Sequence, residues 1–251
     1  MNIKKFLVGG VAGALMLGAT IIPAFATTCT PTGFSRDSIN LTAAQIGGNV
    51  TGTLDATGCN IGVYYDSSTT PGDVTGAYIF GANYYGVVVN GNPGDVSVDV
   101  TDSTVRNIGE VPFNGAQHGN AIYYYGYHTT GIVTGEVSGN TVNHYQKGGI
   151  IVNGEKSTVS VTDNTVTGLG KVDFIAQNGI QFGFGANGIV RGNNISDNFY
   201  TGEVGVGPNP GGQNPPGWQY VSGGLLLYQP GNLKNSMNHF SGNQMNVLMV
   251  P

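Results

Sequence analysis

The chain has 251 residues, including 43 Gly and 26 Asn, and only 9% are charged, against about 25% in ordinary domains; coiled coils and most helical folds are excluded, and the glycines keep no collagen period. A hydrophobic share of 39% with 13 Tyr and 10 Phe supplies a core and argues against disorder. Setting Lys4 and Lys5 aside with the leader leaves 7 basic residues against 14 acidic, a balance of −7, and with no Lys/Arg cluster nucleic acid is not an expected partner.

Residues 1–26 read as a signal peptide. Lys4 and Lys5 form the positive region, Phe6 to Ile22 the apolar one, and Ala24-Phe25-Ala26 the cleavage signal. The mature chain then starts near Thr27, secreted or held at the cell surface. A retained anchor fits less well, because the run is interrupted by glycine and short for a bilayer, and no later stretch is apolar enough to span one.

Residues 27–58 read as an N-terminal cap. Cys29 and Cys59 are expected to pair in an oxidising compartment. A loop of about 31 residues closed in this way contributes roughly 3–4 kcal/mol in the chain-entropy model.

From residue 57 to 251 the sequence repeats itself. Val98-Asp99-Val100-Thr101-Asp102-Ser103-Thr104-Val105 recurs 61 residues later as Val159-Ser160-Val161-Thr162-Asp163-Asn164-Thr165-Val166. Gly86-Val87-Val88-Val89-Asn90-Gly91 is echoed by Gly149-Ile150-Ile151-Val152-Asn153-Gly154. Inside this unit lies one of half the length: Gln117-His118-Gly119, Gln146-Lys147-Gly148 and Gln177-Asn178-Gly179, each followed by a short apolar strand, with another strand at Gly224 to Tyr228. A second set of strands surrounds Val142, Val166 and Ile195, preceded by Asn140, Asn164 and Asn194. Repeats of about 30 residues built from short strands and Asn/Gly turns bury their apolar faces only by stacking. The expected fold is therefore all-β, a solenoid of parallel strands whose equivalent residues stack about 4.8 Å apart, in about six coils.

Asn178-Gly179-Ile180-Gln181-Phe182 and Gly192-Asn193-Asn194-Ile195 resemble the pattern of right-handed parallel β-helix proteins of the pectate-lyase superfamily, over roughly residues 57–250. The resemblance implies a right-handed parallel β-helix. It implies no single function, because the scaffold hosts lyases, hydrolases, epimerases, adhesins and tailspikes.

Strand alternation assigns Val87, Ile122, Ile150, Ile180 and Leu225 to one inward stack and Val89, Tyr124, Val152, Phe182 and Leu227 to another. A one-residue slip would instead turn Tyr123 and Tyr125 inward. The outward positions are Val88, Tyr123, Ile151, Gln181 and Leu226, too apolar for a solvated face, so a covering loop is expected. The five Asn-Gly pairs are assigned to corners and to amide ladders between coils.

Alignment of the Gln-x-Gly motifs puts Tyr85, His118, Lys147, Asn178 and Ser222 in one column. A uronide lyase needs a base at the C5 proton, for which Lys147, His118 and Tyr85 are the candidates, and a cation against the sugar carboxylate, from Lys147 or Arg191. The bland alternative is a run of solvated turn residues. No cofactor is assigned; Ca2+ would need converging carboxylates, and in the set Asp99, Asp102, Asp163 and Asp173 the equivalent pair Asp102 and Asp163 falls roughly 10 Å apart. Turn capping accounts for both aspartates.

The catalytic signatures of the superfamily (W-I-D-H, N-T-D with D-D, G-H-G and R-I-K, and D-P-H) are absent. Sugar binding needs only aromatic faces and a few amides. Tyr123, Tyr125, Tyr127 and His128 form one candidate cluster with Asn178 and Arg191, and Trp218 and Tyr220 a second at the end of a Pro/Gly-rich insertion at 202–217. Two readings follow: a solenoid that binds, and in its catalytic form cleaves, an extracellular polysaccharide or cell-surface glycan, or a non-catalytic adhesive stalk. The apolar end Asn246 to Pro251 also admits self-association end to end.

Overall fold

A computed structural model describes residues 28–202 and 220–251, which form 22 strands and, among the described residues, no helix. The expected leader and nearly all of the 202–217 insertion, with Trp218, lie outside the described residues. The strands build a nine-stranded sheet and a thirteen-stranded sheet whose two arms meet at Val74–Phe80. Every pairing is parallel except that of Thr30–Arg36 with Ile39–Ile46. One pass of the chain runs through Asn120–Tyr125 in the first sheet, then Val133–Ser138 and Thr141–Tyr145 in the two arms, and returns as Gly148–Asn153 beside its starting strand. This alternation is compatible with a β-solenoid.

Both inward stacks form as alternation requires. Ile122 pairs with Val87 and Ile150, Ile150 with Ile180, and Ile180 with Leu225; Tyr124, Val152, Phe182 and Leu227 follow two residues on. Tyr124 points inward, fully buried, and its hydroxyl donates to Val98 O at 2.7 Å. The 61-residue repeat spans two passes, since Val100 and Val161 both pair with Val137, and Val105 and Val166 with Val142.

The glutamines do not line up. Gln117 stands three residues ahead of Asn120, Gln146 two ahead of Gly148, and Gln177 one ahead of Asn178, while those three residues share one row. Corners absorb extra residues because the inward apolar stack, not the local motif, fixes register. Gln146 and Gln177 are fully buried and satisfy corner backbone: Gln146 accepts from Glu110 N and Asn114 N, and Gln177 from Leu169 N. Gln117 is exposed.

An amide ladder runs through the interior. Ser103 N donates to Asn140 Oδ1, Asn140 to Asn164 Oδ1, Asn164 to Asn193 Oδ1, and Asn193 to Asn238 Oδ1, at 2.9–3.0 Å. The expected third member, Asn194, is exposed; Asn193 takes its place. Just before each ladder residue the backbone turns left-handed, at Asp102, Gly139, Asp163, Gly192 and Met237. Asp102 and Asp163 thus serve corners, the role expected of them.

The outward stripe is covered at three of its five positions, while Gln181 and Leu226 are half-buried outside that cover. Val88, Tyr123 and Ile151 are buried in a second apolar cluster with Leu41, Tyr64, Tyr84 and Tyr85, roofed by Phe34 of the N-terminal hairpin. Phe34 lies 6.1 Å from Tyr64, 6.2 Å from Tyr85 and 5.7 Å from Tyr125, ring centre to ring centre. Cys29 and Cys59 are disulfide-bonded, with Cα atoms 5.4 Å apart, and so tether the hairpin to the chain at the start of the Ile61–Tyr65 strand.

Candidate functional site

The hairpin that roofs the outer cluster also walls a cleft. Its strands lose register between Pro31 and Ser35, and its tip turns at Asp37 and Ser38, both left-handed (φ 52° and 64°), the geometry of a type I′ turn. The tip reaches across the outer face of the nine-stranded sheet. Arg36 donates to Tyr85 Oη at 3.2 Å and to Gln117 O at 3.5 Å, and pairs with Asp37 at 3.5 Å. Burial opposes the charge of this guanidinium, but Tyr85, Tyr123 and Asp37 outweigh it, so its pKa is raised.

Beside Arg36 lies a cleft of about 200 Å³ lined by Gln117, Asn120, Tyr123, Lys147, Ile151, Asn153, Asn178, Gln181 and Phe184. Register explains its layout. Asn120, Gly148 and Asn178 form a row at the strand starts, Tyr123, Ile151 and Gln181 a middle row, and Tyr125, Asn153 and Gly183 a row at the strand ends. Cations and amides therefore stand at one end, an apolar floor of Tyr123 and Ile151 in the middle, and an amide pair with Phe184 at the other end. Gln181 Nε2 donates to Asn153 Oδ1 at 2.9 Å. Asn178 Oδ1 accepts from Gly223 N at 3.1 Å.

Lys147 is the least compensated group in the cleft. It is half-buried, donates to Ala176 O at 2.9 Å, and makes no ion pair with any described carboxylate. Burial lowers its pKa from 10.5 to about 8, so about a tenth is the neutral amine at pH 7 and about half at pH 8. A hydrogen-bonded cation in a cleft that an arginine also lines suits an anion, and its neutral form suits proton abstraction.

The expected single column does not form. Tyr85 and Asn178 share a row with Asn120, Gly148 and Gly223, whereas Lys147 and Ser222 lie one residue before that row and His118 two. Tyr85 is fully buried under Arg36, stacked on Tyr123 (5.1 Å, 7°), and burial pushes its pKa up to about 12, which leaves it protonated at neutral pH. His118 is buried on the Tyr84 ring (3.8 Å, 17°), with Nε2 2.7 Å from Glu110 Oε1 and Nδ1 3.9 Å from Asp37 Oδ2. It braces the hairpin tip rather than lining the cleft. The Ser222 hydroxyl is buried without a partner among the described residues.

Of the expected sugar contacts, Tyr123 and Asn178 line the cleft. Tyr125 packs between Phe34 and Tyr123, Tyr127 stands beside Phe184 and His128, and exposed His128 approaches Glu155 at 3.7 Å. Arg191 is exposed on the other sheet, in the Asn187–Arg191 strand, remote from the cleft. Tyr220 is exposed and outside the cleft lining, and Trp218 lies outside the described residues.

Sequence reading missed Arg36, Asn120, Asn153 and Phe184. Alignment on the inward stacks would have found Asn120 and Asn153; nothing local signals Arg36, whose place depends on the fold of the hairpin. Asp99 accepts from Glu136 N at 2.8 Å, and Asp173 is exposed just after a strand end. Among the described residues no group of three His, Cys, Asp or Glu is placed to hold a metal, and no helix is long and apolar enough to cross a membrane. No protein-family model, curated protein or solved structure matches the chain.

Proposed function

We propose that this chain is a secreted right-handed parallel β-helix of about six coils, of the pectate-lyase type, that binds an acidic polysaccharide through the cleft between the N-terminal hairpin and the nine-stranded sheet. The observation that carries this reading is that Arg36 and an ion-unpaired Lys147 line one cleft whose floor is apolar and whose rim carries amides. A carboxylated sugar offers the matching parts: an anion for the two cations, hydroxyls for Asn120 and Asn178, and a C–H face for the floor.

In the catalytic form of this reading the neutral Lys147 amine takes the C5 proton of a uronide. The electron pair forms the C4=C5 bond, the C4–O bond breaks, and the departing oxygen takes a proton from water, while Arg36 stabilises the charge on the carboxylate. The non-catalytic reading draws support from the burial of Tyr85 and His118, which removes two of the three candidate bases.

Titration calorimetry with tetramers of galacturonate, glucuronate and mannuronate tests binding, and absorbance in the unsaturated-uronide band tests cleavage. Binding of at least one tetramer is expected, with a loss of about tenfold to a hundredfold in Lys147→Ala and in Arg36→Ala. No binding of any tetramer, or full affinity in both variants, would overturn the proposal.

A further inference from the structure

The corner after each outer strand holds Gly91, Gly126, Gly154, Phe184 and Gln229 in successive passes, each donating its backbone N–H to a carbonyl at the strand end of the next pass. Phe184 sits there with φ +57°, a conformation that is unusual for a bulky side chain and that costs a glycine nothing. Gly154 (φ +105°) and Gln229 (φ +47°) make the left-handed turn at the same corner without a phenyl ring, so the backbone has no use for one. Strain held against an easy alternative points to function.

The ring is placed to be used. It lines the far end of the cleft from Lys147, is partly exposed, and is flanked by two other partly exposed rings, Tyr127 and Tyr228, each with its centre 4.9 Å away. Beside it stand Asn153 and Gln181, whose amides are already joined and so oriented. From the Lys147 position to Phe184 the strands run about seven residues, roughly 20 Å at the usual rise per residue. No single sugar covers that length.

We infer that Phe184, flanked by Tyr127 and Tyr228, is a second carbohydrate subsite, which takes the C–H face of a pyranose several units along the chain from the sugar held at Lys147 and Arg36. The inference rests on the acidic-polysaccharide reading of the cleft and adds a direction to it: the glycan lies across the sheet, along the strands, from the hairpin side to the Phe184 corner. The chemistry required is that of any pyranose with an exposed C–H face, charged or neutral, because the aromatic face supplies no counter-ion.

Phe184→Gly is the informative variant, since it removes the ring at a φ that glycine accepts, and Phe184→Trp keeps a ring in the same place as its control. Binding is measured for the monosaccharides and tetramers of galacturonate, glucuronate and mannuronate. Phe184→Gly is expected to weaken tetramer binding about tenfold more than monomer binding, while Phe184→Trp retains the tetramer preference. Equal losses for monomer and tetramer, or no loss for the tetramer, would overturn the second subsite while leaving the Lys147 site standing. A wild type that binds neither monomer nor tetramer would overturn the acidic-polysaccharide reading itself, and this inference with it.

Discussion

Replacement of Asn164 by alanine removes the centre of the internal ladder. Its side chain accepts from Asn140 N at 3.0 Å and Asn140 Nδ2 at 2.9 Å, and donates to Val137 O at 2.8 Å and Asn193 Oδ1 at 2.9 Å. Asn193 Oδ1 keeps the Asn164 backbone N–H. Asn140 N and one proton of Asn140 Nδ2 are left unsatisfied where no water reaches, since Asn140 and Asn164 are buried. Orphaned buried groups cost about 1–3 kcal/mol each, which puts Asn164→Ala at about 2–6 kcal/mol. That is a large share of the 5–15 kcal/mol that holds an ordinary domain together, and about 5–20 °C in Tm for a chain of this length. Asn194→Ala, one pass away but exposed, should stay within about 0.5 kcal/mol. Urea unfolding of the two variants beside the wild type decides the matter. Equal midpoints for the two, or a loss below about 1 kcal/mol in Asn164→Ala, would refute the ladder as a stabilising element.

Two further outcomes are expected. The folded-state pKa of Lys147, about 8, lies below its ordinary 10.5, so between these values the unfolded chain binds more protons and stability rises with pH. The change in urea midpoint from pH 8 to pH 10 should therefore be more positive in the wild type than in Lys147→Met, the buried tyrosines lowering stability alike in both, and any lyase rate should rise with pH through about 8; an equal change in the two proteins would contradict this. Joint replacement of Cys29 and Cys59 by serine opens a loop with a sequence separation of 30 and should cost about 3–4 kcal/mol. Because the same bond anchors the hairpin that carries Arg36, glycan affinity should fall in parallel, as calorimetry would show; unchanged affinity would mean that the outer cluster alone holds the hairpin in place.

Hydrophobic alternation made the interior legible, and it did so because side-chain direction in a strand is tied to a period of two. Ile122, Ile150 and Ile180 stack as alternation demands, and even Tyr124, large for its position, goes inward because its hydroxyl finds Val98 O. The same logic failed where motif identity stood in for register. Gln117, Gln146 and Gln177 look equivalent in sequence, yet corners of different length separate each from its strand, and only the last two are drawn inside to satisfy backbone groups. Asn193 and Asn194 differ by one position, and the left-handed turn at Gly192 decides which of them faces the interior. At the site, Lys147, Tyr123 and Asn178 were legible as chemistry on known strands. Arg36 was not, because it arrives on a hairpin whose path is set by Phe34 packing across Tyr64, Tyr85 and Tyr125.

The floor of the cleft exists only if strands from successive passes lie in step, and a pair of engineered cysteines measures that directly. Ile151 and Gln181 are register partners on the outer face, about 4.8 Å apart at Cα, within disulfide range. With Cys29–Cys59 left intact, mild oxidation of Ile151→Cys/Gln181→Cys should give the new crosslink by peptide mass mapping, and Ile151→Cys/Phe182→Cys, one residue out of step with its second sulfur facing the interior, should not. A crosslink in the second pair and none in the first would mean that the rows are displaced, and that Lys147, Tyr123 and Asn178 share no cleft.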